Sequence, residues 1–310
     1  MGALDDTPLA REIADLSARR RALESAHVSF EGRRRVFTVS NQKGGVGKTT
    51  TTVNLAAAFA HMGATVLVID LDPQGNASTA LGVPHSAETP SVYDVLIGER
   101  PLAEVVQTSP ESPSLRCAPS TIHLAGAEIE LVSQVAREKR LSSALSSYLE
   151  GAGSDVDIVL IDCPPSLGLL TINAFSAADE VLIPIQCEYY ALEGLSQLIG
   201  TVTMIQKHLN PDLVLSTIVL TMYDGRTRLS QQVAEEVRAH FPDQVLAAVI
   251  PRAVRVSEAP SFGQTVLAYD GQSVGAVAYR EAALEIHRRG SAQQGGDATV
   301  GADESARRES

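Results

Sequence analysis

From Val36 onward, short apolar runs rich in β-branched residues alternate with longer stretches of helical period, and this alternation most narrows the fold. "VFTVS" is followed by "KTTTTVNLAAAFAHMG" and "TVLVID"; further along come "VDIVLID", "EVLIPI", "LVLSTIVLT" and "VLAAVI". Most of these runs are apolar at consecutive positions, so both faces of each strand need covering. A strand, helix, strand order with two-sided strands predicts a doubly wound, mostly parallel α/β sheet with helices on both faces. In such sheets ligands bind beyond the carboxyl ends of the strands, in the loops that follow each apolar run. The periodicity predicts helices over 47–61, 124–149, 191–208, 228–240 and 272–289.

A chain of 310 residues with 44% hydrophobic content can bury one large core. Residues 1–32 read as an N-terminal extension with a helix, because Leu9, Ile13, Leu16 and Leu23 recur at roughly helical spacing. It is either an appended arm or a docking helix. Its "SARRR" and "EGRRRV" clusters suit contacts to a polyanion such as nucleic acid or simple solvation of a helix. Residues 290–310 are small, polar and aperiodic, and are expected to be disordered. The charged N-terminus lacks the basic-then-apolar order of a signal peptide and no long apolar run occurs, so a cytoplasmic protein is expected. Cys117, Cys163 and Cys187 are odd in number and widely spaced, which fits reduced core thiols better than a disulfide framework or a zinc site. A formal net charge of −12 argues against a uniformly basic nucleic-acid binder while leaving room for a local basic patch.

"NQKGGVGKTT" follows the first run. The ordinary phosphate loop, G-x-x-x-x-G-K-[ST], asks for glycine where this chain has Gln42, so the pattern fails on its first letter. Gly44, Gly45 and Gly47 nonetheless sit between a strand and a helix, where successive N–H groups can surround an anion. Lys48 would neutralise β- and γ-phosphates, and the Thr49 hydroxyl would ligate Mg²⁺. A dinucleotide site is the rival reading, with Asp70 as its acidic residue, but it makes no use of Lys48 and Thr49. Asp70 and Asp72 leave the strand end in "VLVIDLDPQGN", and Asp162 leaves another in "IVLIDCPPS". Each carboxylate alone reads equally well as a loop or capping aspartate. Together with the loop they form a set that suits a nucleoside triphosphate and Mg²⁺.

"NQKGGVGKTTTTVNLAAAFA", "VLVIDLDPQGNAST", "LAGAEIEL", "VLIDCPPSLGLLTINAF", "QCEYYALEGLSQL", "TMYDGRTRLSQQV" and "IPRAVRVSEAPSFGQTVLAYD" occur in order across roughly residues 35–289. This series resembles the ParA/Soj chromosome- and plasmid-partitioning ATPases, within the deviant-Walker P-loop group that also contains MinD and nitrogenase iron protein. The resemblance implies a ParA-type ATPase domain over 33–289 that binds ATP and Mg²⁺ and hydrolyses ATP slowly under partner stimulation. It implies that Lys43 reaches across a homodimer to the phosphates held by the other subunit, so that Lys43, Lys48 and Asp72 are the catalytic set. Asp72 matches the residue that orients the attacking water, and Asp162 the magnesium-side carboxylate, acting through water beside Thr49. Gly44, Gly45, Val46, Gly47, Thr49 and Thr50 would line the phosphates. Pro251 and Ala253 would lie against adenine, although many relatives carry Asn or Ser where this chain has Ala253.

Arg226 and Arg255 match positions that bind double-stranded DNA nonspecifically in relatives, and Arg228 and Arg252 would enlarge that patch. Read from the residues alone, these are solvated loop charges. The implied partners are a second copy of the chain, DNA and a ParB-type centromere-binding protein, with no membrane and a nucleoid-associated location. The alternative is a MinD-like membrane-cycling ATPase. It needs a C-terminal amphipathic helix with bulky apolar residues, whereas "VGAVAYREAALEIHRR" is mostly alanine on its apolar side.

Overall fold

In the computed structural model, eight strands form one sheet: β1 (Arg35–Val39), β2 (Val66–Asp70), β3 (Gln107–Thr108), β4 (Leu115–Ala118), β5 (Ile158–Asp162), β6 (Glu180–Gln186), β7 (Val214–Tyr223) and β8 (Val245–Pro251). The structure describes residues 7–306 apart from 31, 33 and 190. Spatial order is β3-β4-β2-β5-β1-β6-β7-β8. Every pairing is parallel except β3 with β4. This is the expected doubly wound sheet. Its connections turn to opposite sides of β1, so the loop after β1 opens between the ends of β5 and β6.

The helices are α1 (Pro8–Glu24), α2 (Lys48–His61), α3 (Asn76–Ala80), α4 (Val92–Ile97), α5 (Leu124–Leu131), α6 (Arg140–Glu150), α7 (Leu169–Ala177), α8 (Ala191–His208), α9 (Arg228–His240), α10 (Val254–Glu258), α11 (Val266–Asp270) and α12 (Val274–Ala306). Strand side chains alternate between two buried clusters. Val36, Leu67, Ile69, Val159 and Ile161 join the layer that holds α4 to α9. Phe37, Val39, Val66, Val68, Ile158 and Leu160 join the layer of α2, α3 and α10 to α12. Period-two alternation into two dry cores is why the runs read as continuously apolar.

Small residues bring α12 close to α2 and β8. Ala276, Ala278, Ala282 and Ala283 are fully buried, as are Ala56, Ala57 and Ala58 on α2. The alanines that leave the last helix without a bulky membrane-facing surface are thus its packing face. No helix among the described residues is long and apolar enough to cross a membrane. Backbone helix continues to Ala306, beyond the expected 272–289 and through most of the stretch read as a disordered tail; 307–310 lie outside the described residues.

The single helix expected over 124–149 is two, α5 and α6. Asn173 on α7 clamps the junction: its Nδ2 donates to the Arg137 carbonyl at 2.8 Å and its Oδ1 accepts from the Leu141 N–H at 3.1 Å. Ala136 adopts a positive φ of 53° there. A partner far along the chain sets this break, which local periodicity does not register.

α1 docks on α12 through Arg19, whose Nε and Nη2 donate to Glu281 at 2.7 and 2.6 Å. The second arginine cluster is also structural where it is described. Arg34 donates to the carbonyls of Val156 and Ser154 at 2.6 and 3.0 Å. Arg35 forms a bidentate pair with Glu180 at 2.7 and 2.8 Å and donates to the Ile286 carbonyl at 2.8 Å. Both bind the protein's own groups; among the described arginines of the two clusters, Arg21 on α1 is the exposed one. Arg33 lies outside the described residues.

Candidate nucleotide-binding site

Gly45 and Gly47 take φ values of 75° and 88°, a region in which an L side chain is strained. A Cβ added at Gly44 or Gly45 would meet nothing within 4 Å. Backbone conformation therefore demands the glycine at Gly45, and the space over the loop stays open to a ligand. Gly47 is the N-cap of α2 and supplies no side-chain cap. The first-turn N–H groups of Lys48, Thr49 and Thr50 consequently face out of the helix with the positive end of its dipole behind them.

Neighbouring strands hold this loop in place. Asn41 donates from Nδ2 to the Pro184 carbonyl at 2.8 Å and accepts from the Lys43 N–H at 3.0 Å. Thr221 on β7 donates to the Val46 carbonyl at 2.8 Å. Lys48 is buried and arcs back over the loop, its Nζ donating to the Lys43 carbonyl at 3.4 Å. Burial pushes its pKa down, partly offset by Asp162. A buried ammonium beside an open ring of N–H donors stands ready for an anion.

The strand-end carboxylates meet on this side. Asp70 and Asp162 lie directly opposite each other on β2 and β5, and both are fully buried. Asp162 accepts from the Thr49 hydroxyl at 2.7 Å and the Thr52 hydroxyl at 3.0 Å. Asp70 is taken up by Ser78, accepting from its N–H at 2.8 Å and its hydroxyl at 2.7 Å. Asp72 is only partly buried, and its Oδ1 accepts from the Gln74 N–H at 3.0 Å. The structure gives the two aspartates different surroundings: Asp70 braces β2 against α3, while Asp72 stands at the site's edge.

Burial, reinforced by Asp70, pushes Asp162 up to about 8, against the opposing hydrogen bonds from Thr49 and Thr52. Asp70 rises to about 6, chiefly through burial. A raised carboxyl pKa means the folded chain keeps a proton that the unfolded chain releases above about 3.8. Stability is fully present below that value and is lost as pH climbs through the folded pKa. The metal- and nucleotide-free chain should lose about 2–4 °C of Tm per pH unit between pH 6 and 8. Asp162→Asn should flatten the profile in a thermal melt; an unchanged slope would contradict the assignment.

Lys43 takes a different course from Lys48. Its Nζ pairs with Glu188 Oε2 at 2.7 Å, both side chains being about two-fifths exposed, at 40% and 44%. Gln186 Nε2 donates to the other Glu188 oxygen. The early lysine therefore lies along the loop after β6 and is available at the surface. Glu188, Thr52, Ser78 and Thr221 are not legible as site residues in the sequence, because hydroxyls and carboxylates far apart in the chain carry no spacing signal.

Pro251 closes β8 opposite Tyr223 of β7, and the Arg252 N–H donates to the Tyr223 carbonyl at 3.2 Å. The loops bearing Arg226 and Arg252 are thereby neighbours, with Arg228 exposed at the start of α9 and Arg255 exposed on α10. Ala253, partly buried, is the N-cap of α10. The expected basic residues are brought to the β7–β8 end of the sheet, among carboxylates of their own. Cys117, Cys163 and Cys187 are buried and free, and burial raises all three thiol pKa values, the condition of unreactive core thiols.

Residues 34–215 match the protein family described as an AAA domain. The sporulation initiation inhibitor protein Soj of Bacillus subtilis is 51% identical over 256 residues, 83% of this chain and 99% of that protein. The chromosome partitioning protein ParA of Caulobacter vibrioides is 51% identical over 255 residues, covering 82% of this chain and 94% of its own. Among solved structures, cobyrinic acid a,c-diamide synthase from Mycobacterium smegmatis with bound ADP and magnesium has a TM-score of 0.69 at 40% identity, covering 81% of this chain and 93% of that one. The Pyrococcus furiosus cell division ATPase MinD has a TM-score of 0.66 at 27% identity, covering 83% and 99%. With the glycine loop, its lysine and the paired strand-end carboxylates placed together in this fold, and half of the aligned residues shared with Soj and ParA along nearly the whole lengths of those proteins, the chain belongs to the ParA/Soj family of chromosome-partitioning ATPases.

Proposed function

We propose that the chain is an ATP-driven partitioning switch: ATP joins two subunits face to face, the dimer holds DNA nonspecifically, and a ParB-type partner stimulates hydrolysis and release. The observation that carries this reading is the division of labour between two lysines on one loop. Lys48 lies over its own glycine cradle, and Lys43 is directed away to Glu188 at the surface. A cation with no role in its own cradle suits the phosphates of a second subunit, as an arginine finger does.

In this mechanism the loop N–H groups and Lys48 bind the β- and γ-phosphates. Asp72 holds the attacking water and accepts its proton as the water oxygen bonds to the γ-phosphorus and the bond to the β-bridging oxygen breaks. Lys43 from the neighbour stabilises the charge spreading over the transferring group. Asp162 is a buried carboxylate with two hydroxyl donors and a proton affinity raised by burial, a setting that a cation would relieve. Thr49, and Asp162 through water, would hold Mg²⁺, which when bound supplies charge neutralisation between the phosphate oxygens. Pro251 and the backbone at Ala253 would flank the adenine.

Arg226 and Arg255, with Arg228 and Arg252, would meet DNA phosphates without reading sequence. Retention of a random-sequence duplex should appear with ATP, vanish with ADP or no nucleotide, and fall steeply with salt. Arg255→Glu removes one phosphate contact per subunit and adds a repelling charge, so retention should drop at least about tenfold while ATP-dependent dimers persist. Undiminished retention at moderate salt would refute the patch.

A further inference from the structure

The arginines at the β7–β8 end of the sheet do not stand as bare cations. Asp224 accepts from Arg226 Nε at 2.9 Å and Nη2 at 2.8 Å, and its Oδ1 also accepts from the Arg226 N–H at 3.1 Å. The Arg226 side chain is nevertheless 90% exposed. Arg252 on the adjacent loop adds its field to the same carboxylate, which is held at about 2, first by the Arg226 hydrogen bonds. Asp224 therefore stays ionised at any working pH.

Arg255 is arranged alike. Its Nη1 lies 3.1 Å from Glu258 Oε2, its Nε lies 3.6 Å from Asp270 Oδ2, and its guanidinium sits 5.8 Å over the Tyr269 ring. Exposed ion pairs of this kind add little to folding stability. The Asp224 carboxylate, engaging Nε and Nη2 along one edge of the guanidinium, has the bidentate geometry that a phosphate would use there. Before Arg226 can bind a phosphate through its Nε–Nη2 edge, Asp224 has to let go.

We propose that Asp224 is an internal competitor for the phosphate backbone: it fills the Arg226 fork in the unbound chain and holds the affinity for duplex DNA low enough for release. The inference rests on the DNA-binding reading above. Removing the competing charge should raise affinity, whereas a purely structural aspartate would lower it when replaced. Asp224→Asn is the suitable change, because asparagine keeps an Oδ1 that can accept from the Arg226 N–H and so preserves the turn.

The test measures retention of a random-sequence duplex by the full chain with ATP across a salt series, for wild type, Asp224→Asn, Arg226→Ala and the double variant. About threefold tighter binding per subunit is expected, or about tenfold for a dimer, with a steeper dependence of log affinity on log salt as the freed arginines neutralise further phosphates. The gain should vanish in the Arg226→Ala background, since the fork is then absent. Equal or weaker retention by Asp224→Asn, or a gain that survives without Arg226, would overturn the competitor role. No retention by wild type in any nucleotide state would instead sink the DNA reading, and this inference with it.

Discussion

Replacing Lys43 by alanine should abolish ATP-dependent dimers and leave nucleotide binding by the single chain intact. The structure makes that separation possible because the two lysines of the loop are spent differently. Lys48 is buried over the cradle, while Lys43 reaches Glu188 across an exposed pair. Losing the exposed pair costs the fold at most about 1 kcal/mol. Losing a charge-assisted contact to the neighbour's phosphates costs about 1.5–3 kcal/mol, and a symmetric dimer loses two. The sum, about 3–6 kcal/mol, weakens dimerisation by about 10²–10⁴-fold. Sedimentation velocity with ATP, beside a nucleotide-binding titration, reads both quantities. Normal dimers in the variant would remove the principal support for the switch, and loss of nucleotide binding would show Lys43 serving its own chain.

Asp72→Asn should have the opposite profile, with dimers retained and turnover lowered by about 10²–10⁴-fold, the usual contribution of a positioned proton acceptor. Asparagine keeps an Oδ1 for the Gln74 N–H that Asp72 now binds at 3.0 Å, so the turn survives. The same change at Asp70 is expected to act on folding instead, because Asp70 is fully buried and both Ser78 donors depend on it. Phosphate release measured beside thermal melts separates the two aspartates. Unchanged turnover in Asp72→Asn would move the water-orienting role elsewhere.

These contrasts show which parts of the site are legible in one dimension. "VFTVS", "TVLVID" and "VDIVLID" read as two-sided strands because two-sided burial forces apolar residues at consecutive positions. Short β4, "LRCA", does not announce itself, since four residues beside polar turns carry too little pattern. α5 and α6 read as one helix because their break depends on Asn173, whose side chain arrives from α7. "EGRRRV" reads as a solvated or DNA-facing charge cluster, yet Arg35 is bound to Glu180 and Ile286, partners about 145 and 251 residues distant.

Sequence by itself determined what is local. Positive φ at Gly45 and Gly47 demands residues without a Cβ, Lys48 and Thr49 must follow at the helix start, and carboxylates must lie at strand ends for the site to exist. Tertiary structure alone decided which partner each of those groups has. Strand order set Asp70 opposite Asp162 and left Asp72 at the edge, β6 gave Lys43 its Glu188, and the pairing of β7 with β8 gathered Arg226 and Arg252 around Asp224. Backbone conformation and strand burial depend on neighbours within a few residues. Charge pairing and desolvation depend on distance through space, which only the folded chain fixes.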